Sequence, residues 1–165
     1  MQHIIVLIST SLLLFQVKST LPPPPPTAAA VDEILFKGFP FGQKTSRAEI
    51  EKILGKPTSV SEDTTKKVST LRFAGLTVEL AEVADQSATV SSIELTQNRP
   101  QFPAKIHIGS TREEVTQLLG KADIDRPPEW IYGCYDCVYD HKIHFIFDGN
   151  KVKQINWDFY LETAH

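Results

Sequence analysis

One thirteen-residue pattern is written twice, and it limits what this chain can fold into more than any other feature. Ser110-Thr111-Arg112-Glu113-Glu114-Val115-Thr116-Gln117-Leu118-Leu119-Gly120-Lys121-Ala122 repeats Thr45-Ser46-Arg47-Ala48-Glu49-Ile50-Glu51-Lys52-Ile53-Leu54-Gly55-Lys56-Pro57 at an offset of 65 positions. In the second copy Thr111 is followed three residues later by Glu114, and in the first Ser46 by Glu49, the spacing at which each side chain satisfies a backbone N–H of a helix start. Val115, Leu118 and Leu119, like Ile50, Ile53 and Leu54, fall at i, i+3 and i+4 and share one helix face. Gly120 and Gly55 suit the positive φ that ends a helix, and Lys121 and Lys56 follow where the helix dipole favours a cation. Two short helices with one apolar stripe each are expected, and a repeat of this length sets the architecture.

Each helix precedes alternating apolar segments. Residues 68–74, 76–83 and 90–96 read as strands after the first; residues 130–134, 141–147 and 151–160 read as strands after the second. Gly75 and the run Asp148-Gly149-Asn150 supply turns. Val90-Ser91-Ser92-Ile93-Glu94-Leu95 and Val152-Lys153-Gln154-Ile155-Asn156-Trp157 both read apolar-x-x-apolar-x-apolar, which predicts one bulge in each half. The expected fold is α+β: two tandem units, residues 31–98 and 99–165, each a short helix followed by an antiparallel meander of about three strands. Their strands form a continuous or paired antiparallel sheet, with the helices on one face.

Residues 1–19 read as a secretory signal peptide. Residues 4–15 are an apolar run too short to span a bilayer, which takes about 20 residues. A charged n-region is missing, Val17-Lys18-Ser19 and the alanines at 28–30 offer two cleavage sites, and a buried N-terminal helix is the alternative. Residues 20–30, with five consecutive prolines, read as an extended spacer. No cysteine lies near the end of the leader, so no lipid attachment is expected, and the product is expected to be exported, periplasmic or secreted, with no stable membrane anchor. The net charge of −3 and the lack of a basic stripe exclude nucleic acid as the partner.

The series Ile108-Gly109-Ser110-Thr111, Glu114-Val115, Leu119-Gly120-Lys121, then Trp130 and Tyr132, then Ile143, Phe145 and Phe147 before a Gly-Asn-Lys-Val turn resembles the BamE (SmpA/OmlA) family of outer-membrane assembly subunits. The tandem arrangement is similar to the β-lactamase inhibitor protein, in which two such units share one concave sheet. The resemblance covers residues 41–160 and implies a non-enzymatic protein-binding module.

Cys134-Tyr135-Asp136-Cys137 is the most specific local feature. In an exported chain with two cysteines a disulfide closing a small loop is expected. Cys134, Cys137, His141 and His144 are also four zinc-type ligands within eleven residues, although a strand would send the two histidines to opposite faces. No catalytic constellation and no phosphate loop stand out, so neither enzymatic activity nor a cofactor is expected. Nine of the fifteen aromatic residues lie from Trp130 onward, and this concentration directs attention to the second half. Phe145, Phe147 and Phe159 alternate as core positions. Tyr132, Tyr135, Tyr139, Trp157 and Tyr160 are amphipathic and are candidates for a protein-binding surface, with ordinary sheet packing as the alternative.

These residues together predict a non-enzymatic exported module that binds a protein partner (a secreted enzyme, a toxin or an envelope protein) through its sheet face. It would act as an inhibitor or immunity-type protein, or as an envelope assembly factor. The alternative is a small metal-binding or enzymatic protein built on Cys134, Cys137, His141 and His144.

Overall fold

The computed structural model describes residues 39–82, 88–102, 105–133 and 141–161. The expected leader and proline-rich spacer lie outside the described residues, as does the Cys134–Cys137 segment. Both capping boxes form. The Ser46 hydroxyl accepts from the Glu49 N–H at 3.2 Å while Glu49 accepts from the Ser46 N–H at 2.8 Å, and Thr111 and Glu114 make the same exchange at 3.2 and 2.8 Å. They start α1, Arg47–Leu54, and α2, Arg112–Leu119. Gly55 and Gly120 stop them with φ of 84° and 74° but with ψ of −174° and −154°, a region outside the left-handed helix that in practice only glycine occupies.

Eight strands accompany the two helices: β1 Ser59–Asp63, β2 Val68–Phe73, β3 Leu76–Glu82, β4 Ala88–Leu95, β5 Ile124–Arg126, β6 Glu129–Tyr132, β7 Lys142–Asp148 and β8 Lys151–Asp158. They form a single antiparallel sheet in the order β1-β2-β3-β4-β8-β7-β6-β5. This corrects the expected α+β pair of helix-plus-meander units with helices layered on one face. The chain is mainly sheet, four strands follow each helix, and the helices are two short segments that add few side chains to the core. In α1 only Ile50 is fully buried, and Ile53, expected on its apolar stripe, is 38% exposed. In α2 Val115 and Leu119 are buried. The strands that local alternation does not reveal are the two edges. β1 offers one half-buried apolar residue, Val60, and β5 one, Ile124.

Register explains why the sheet does not split. Leu71, Val78, Ile93, Trp157, Ile143 and Tyr132 stand opposite one another in a single apolar row across β2, β3, β4, β8, β7 and β6. Phe73, Leu76, Leu95, Ile155, Phe145 and Trp130 form the next row on the same side. Both rows pass without a break across the β4–β8 seam. Each fully buried side chain of this size contributes about 1.5–3 kcal/mol relative to exposure, so parting the seam would expose the centre of the core. The two expected bulges are present: Ser91 is the extra residue where Glu79/Leu80 face Ser92/Val90, and Lys153 where Ile146/Phe147 face Gln154/Val152. Each lets two apolar residues three apart, Val90 with Ile93 and Val152 with Ile155, point into one core.

Candidate functional site: the polar face of the sheet

Because side chains alternate along a strand, two apolar rows on one side require polar rows between them on the other. One polar row is Arg72, Thr77, Glu94, Asn156, His144 and Ile131; the next is Thr70, Glu79, Ser92, Asp158 and Lys142. All of these residues are half-buried or exposed, so this face meets solvent at the same positions along the chain where the opposite face is sealed.

The side chains of this face are tied to one another. Ser92 Oγ donates to Glu79 Oε2 at 3.0 Å. Gln154 Nε2 donates to Glu94 Oε2 at 3.2 Å and to Asn156 Oδ1 at 2.9 Å. His144 stands between two carboxylates from neighbouring strands. Its Nδ1 lies 2.8 Å from Glu129 Oε1, and its Nε2 lies 3.1 Å from Asp158 Oδ2, an ion-pair distance without the alignment of a good hydrogen bond. The Asp158 carboxylate is the largest influence holding the imidazole above its usual pKa; partial burial opposes it and Glu129 reinforces it. An imidazole engaged on both nitrogens and biased towards its cation braces β6, β7 and β8, and it is poorly placed to take a proton from a substrate.

The residues singled out by sequence are dispersed. Tyr132 is 1% exposed, and its hydroxyl donates to the Gly120 carbonyl at 3.0 Å, closing the end of α2. Burial, reinforced by Asp123 and Asp125, pushes its phenol well above the usual range. Trp157 is 4% exposed and packs edge-on to Phe39 at 5.3 Å between ring centroids. Both are core residues, which corrects their assignment to a binding surface: the period-two pattern that places them in strands also turns them inward. Tyr160 is half-buried near the end of the last strand; its N–H donates to His141 Nδ1 at 3.0 Å, and its carbonyl accepts from Gln43 Nε2 at 3.0 Å. Tyr135, Tyr139, Cys134 and Cys137 lie outside the described residues. His141 stacks edge-on against Phe159 at 5.7 Å, whereas His144 stands on the polar face held by Glu129 and Asp158. The two histidines therefore do not converge. Among the described residues no group of three or more His, Cys, Asp or Glu side chains is arranged to hold a metal ion.

Glu94, Gln154, Glu129 and Asp158 are the members of this face that motif reading misses. The signal that finds them is parity: each falls on the strand positions opposite the apolar ones. Among the described residues no helix is long and apolar enough to cross a membrane.

No family model and no curated protein matches the chain. Among solved structures it is similar to a DUF4309 family protein (YjgB) from Bacillus subtilis, with a TM-score of 0.45 and 16% identity over 80% of this chain and 97% of that one.

Proposed function

We propose that this protein is an exported, non-enzymatic binding module that docks a protein partner on the polar face of its sheet. The observation that carries this reading is the face itself: cross-strand rows of solvent-facing polar side chains, fixed to each other across the β4–β8 seam by the Gln154–Glu94 bond. Eight strands at ~4.8 Å spacing, from three to eight residues long, give a platform of roughly 750 Å², close to the area each partner contributes to a standard interface. Its side chains are ordered before binding, which lowers the entropy cost of association. Glu79, Glu94, Glu129 and Asp158 outnumber Arg72, Lys142 and His144 there, so the complementary surface is polar and net basic. A secreted enzyme or toxin under inhibition, or an envelope protein under assembly, could each supply such a surface.

The test is site-specific photocrosslinking of the full chain in the cells that make it, from positions 94 and 154 on the platform and from position 121 at the end of α2. One protein captured from 94 and 154 but not from 121 supports docking through this face. Equal capture from all three positions, or no capture together with a stoichiometric metal that survives dialysis, rejects it in favour of a metal protein built on Cys134, Cys137, His141 and His144.

A further inference from the structure

Described residues between the end of β4 and the start of α2 line an open cavity on the core side of the sheet, separate from the platform. Asn98 holds the two ends of this stretch together. The Asn98 amide donates to the Ile108 carbonyl at 2.9 Å, and its side-chain oxygen accepts from the Ile108 N–H at 2.8 Å, so one side chain imitates a backbone bridge. The space within measures about 490 Å³, inside the range of small-molecule sites. Its walls are Leu95, Pro100, Phe102 and Ile106, Arg99 supplies its cationic side, and His107 borders it.

His107 is engaged: its Nδ1 lies 3.2 Å from Ser110 Oγ. Arg99 differs. Among the described residues no carboxylate or carbonyl accepts from its guanidinium, and Nη1 is buried without a hydrogen bond. The Phe73 ring at 5.9 Å is its nearest electrostatic compensation, at the outer limit of a cation–π contact. A half-buried guanidinium with no counter-charge, beside an apolar cavity, calls for a ligand that carries both missing parts. A neutral hydrocarbon would leave the guanidinium unpaired, and an inorganic anion would leave the apolar walls against water. A carboxylate suits the planar fork of arginine and permits a charge-assisted pair.

We infer that this cavity binds a small amphipathic carboxylate, its hydrocarbon body against Leu95, Pro100, Phe102 and Ile106 and its carboxylate paired with Arg99. The inference stands independently of the docking platform.

The experiment uses the full chain with sodium octanoate as probe, octan-1-ol as the same body without the charge, and inorganic phosphate as the charge without the body. Binding is read by the methyl resonances of Leu95 and Ile106 and by calorimetry. The expected result is saturable shifts with octanoate, and binding at least about tenfold weaker for octan-1-ol and for phosphate, as loss of one charge-assisted hydrogen bond implies. Arg99→Gln should weaken octanoate by about the same factor and leave octan-1-ol unchanged. No saturable shift at Leu95 and Ile106, or equal affinity for octanoate and octan-1-ol, overturns the inference. So does an Arg99→Gln variant of unchanged melting temperature that binds octanoate like the parent. Should that variant fail to fold, the comparison of octanoate with octan-1-ol in the parent chain decides alone.

Discussion

Gln154 Nε2 lies 3.2 Å from Glu94 Oε2, and this bond spans the line where β4 meets β8. The two residues are diagonal neighbours, since Asn156 is the one directly opposite Glu94. The contact therefore reads the register of the join as well as its existence. On the other side of the same strands, Ile93 faces Trp157 and Leu95 faces Ile155. The platform and the core meet at one seam.

The polar and apolar sides of that seam should respond very differently to truncation. Gln154→Ala is expected to cost under about 1 kcal/mol, because its hydrogen bonds are partly exposed and exchange with water. Ile155→Ala, one residue away and 1% exposed, is expected to cost about 2–5 kcal/mol. Urea unfolding monitored by circular dichroism measures both, and similar losses for the two would contradict the sidedness of the sheet.

The helix starts should be separable from the sheet. Ser46→Ala and Thr111→Ala each remove a hydroxyl that accepts from the third helical N–H, at an expected cost of about 1 kcal/mol. Faster amide exchange confined to α1 in the first variant and to α2 in the second is the expected pattern.

His144 gives the stability of the fold a pH dependence whose sign follows from its surroundings. Its folded-state pKa is raised, chiefly by Asp158; burial opposes the shift and Glu129 adds to it. A raised folded value means that the contribution is fully present below the unfolded pKa of about 6.5 and is lost as pH rises through the folded value. The stability gap between the parent chain and His144→Gln should accordingly be larger at pH 5.5 than at pH 9, as read from urea midpoints at both values. A gap that widens towards pH 9 would mean that the two carboxylates do not hold the imidazolium.

Tyr132 and Trp157 should behave as core residues. Tyr132→Phe deletes the donor to the half-buried Gly120 carbonyl and is expected to cost about 1 kcal/mol, the ordinary net worth of one hydrogen bond. Trp157→Ala, which empties the centre of the first apolar row, is expected to cost about 3–5 kcal/mol. Guanidinium unfolding distinguishes these values from the near-zero cost of removing rings that face solvent.

The legible parts of this fold are the ones written in local chemistry. The helix starts announce themselves because a capping box needs only two side chains three residues apart. The bulges at Ser91 and Lys153 show because an extra residue interrupts alternation at that point and nowhere else. The edges β1 and β5 are silent, since an edge strand buries little and Val60 and Ile124 alone make no pattern. Strand count, four after each helix where about three were expected, is lost for that reason. The polar face is half legible. Alternation through Ile143, Phe145 and Phe147 puts His144 on the side away from the core, but Glu129 and Asp158 reach it from two other strands, and register between strands is set by the whole sheet. The amphipathic aromatic residues mislead because Tyr and Trp serve buried and exposed roles with equal ease; Tyr132 is buried with its hydroxyl satisfied by a helix end.

The most direct measurement of the central claim is the photocrosslinking yield from position 154 in a chain carrying Glu94→Arg and Asp158→Arg, with melting temperature recorded alongside. Two bulky cations at the middle of the platform should reduce capture of the partner to background while leaving the chain folded at pH 8 to 9, since both sites are exposed and the Asp158–His144 pair contributes least to stability at high pH. Capture at the parental yield in a folded double variant would show that the partner docks elsewhere.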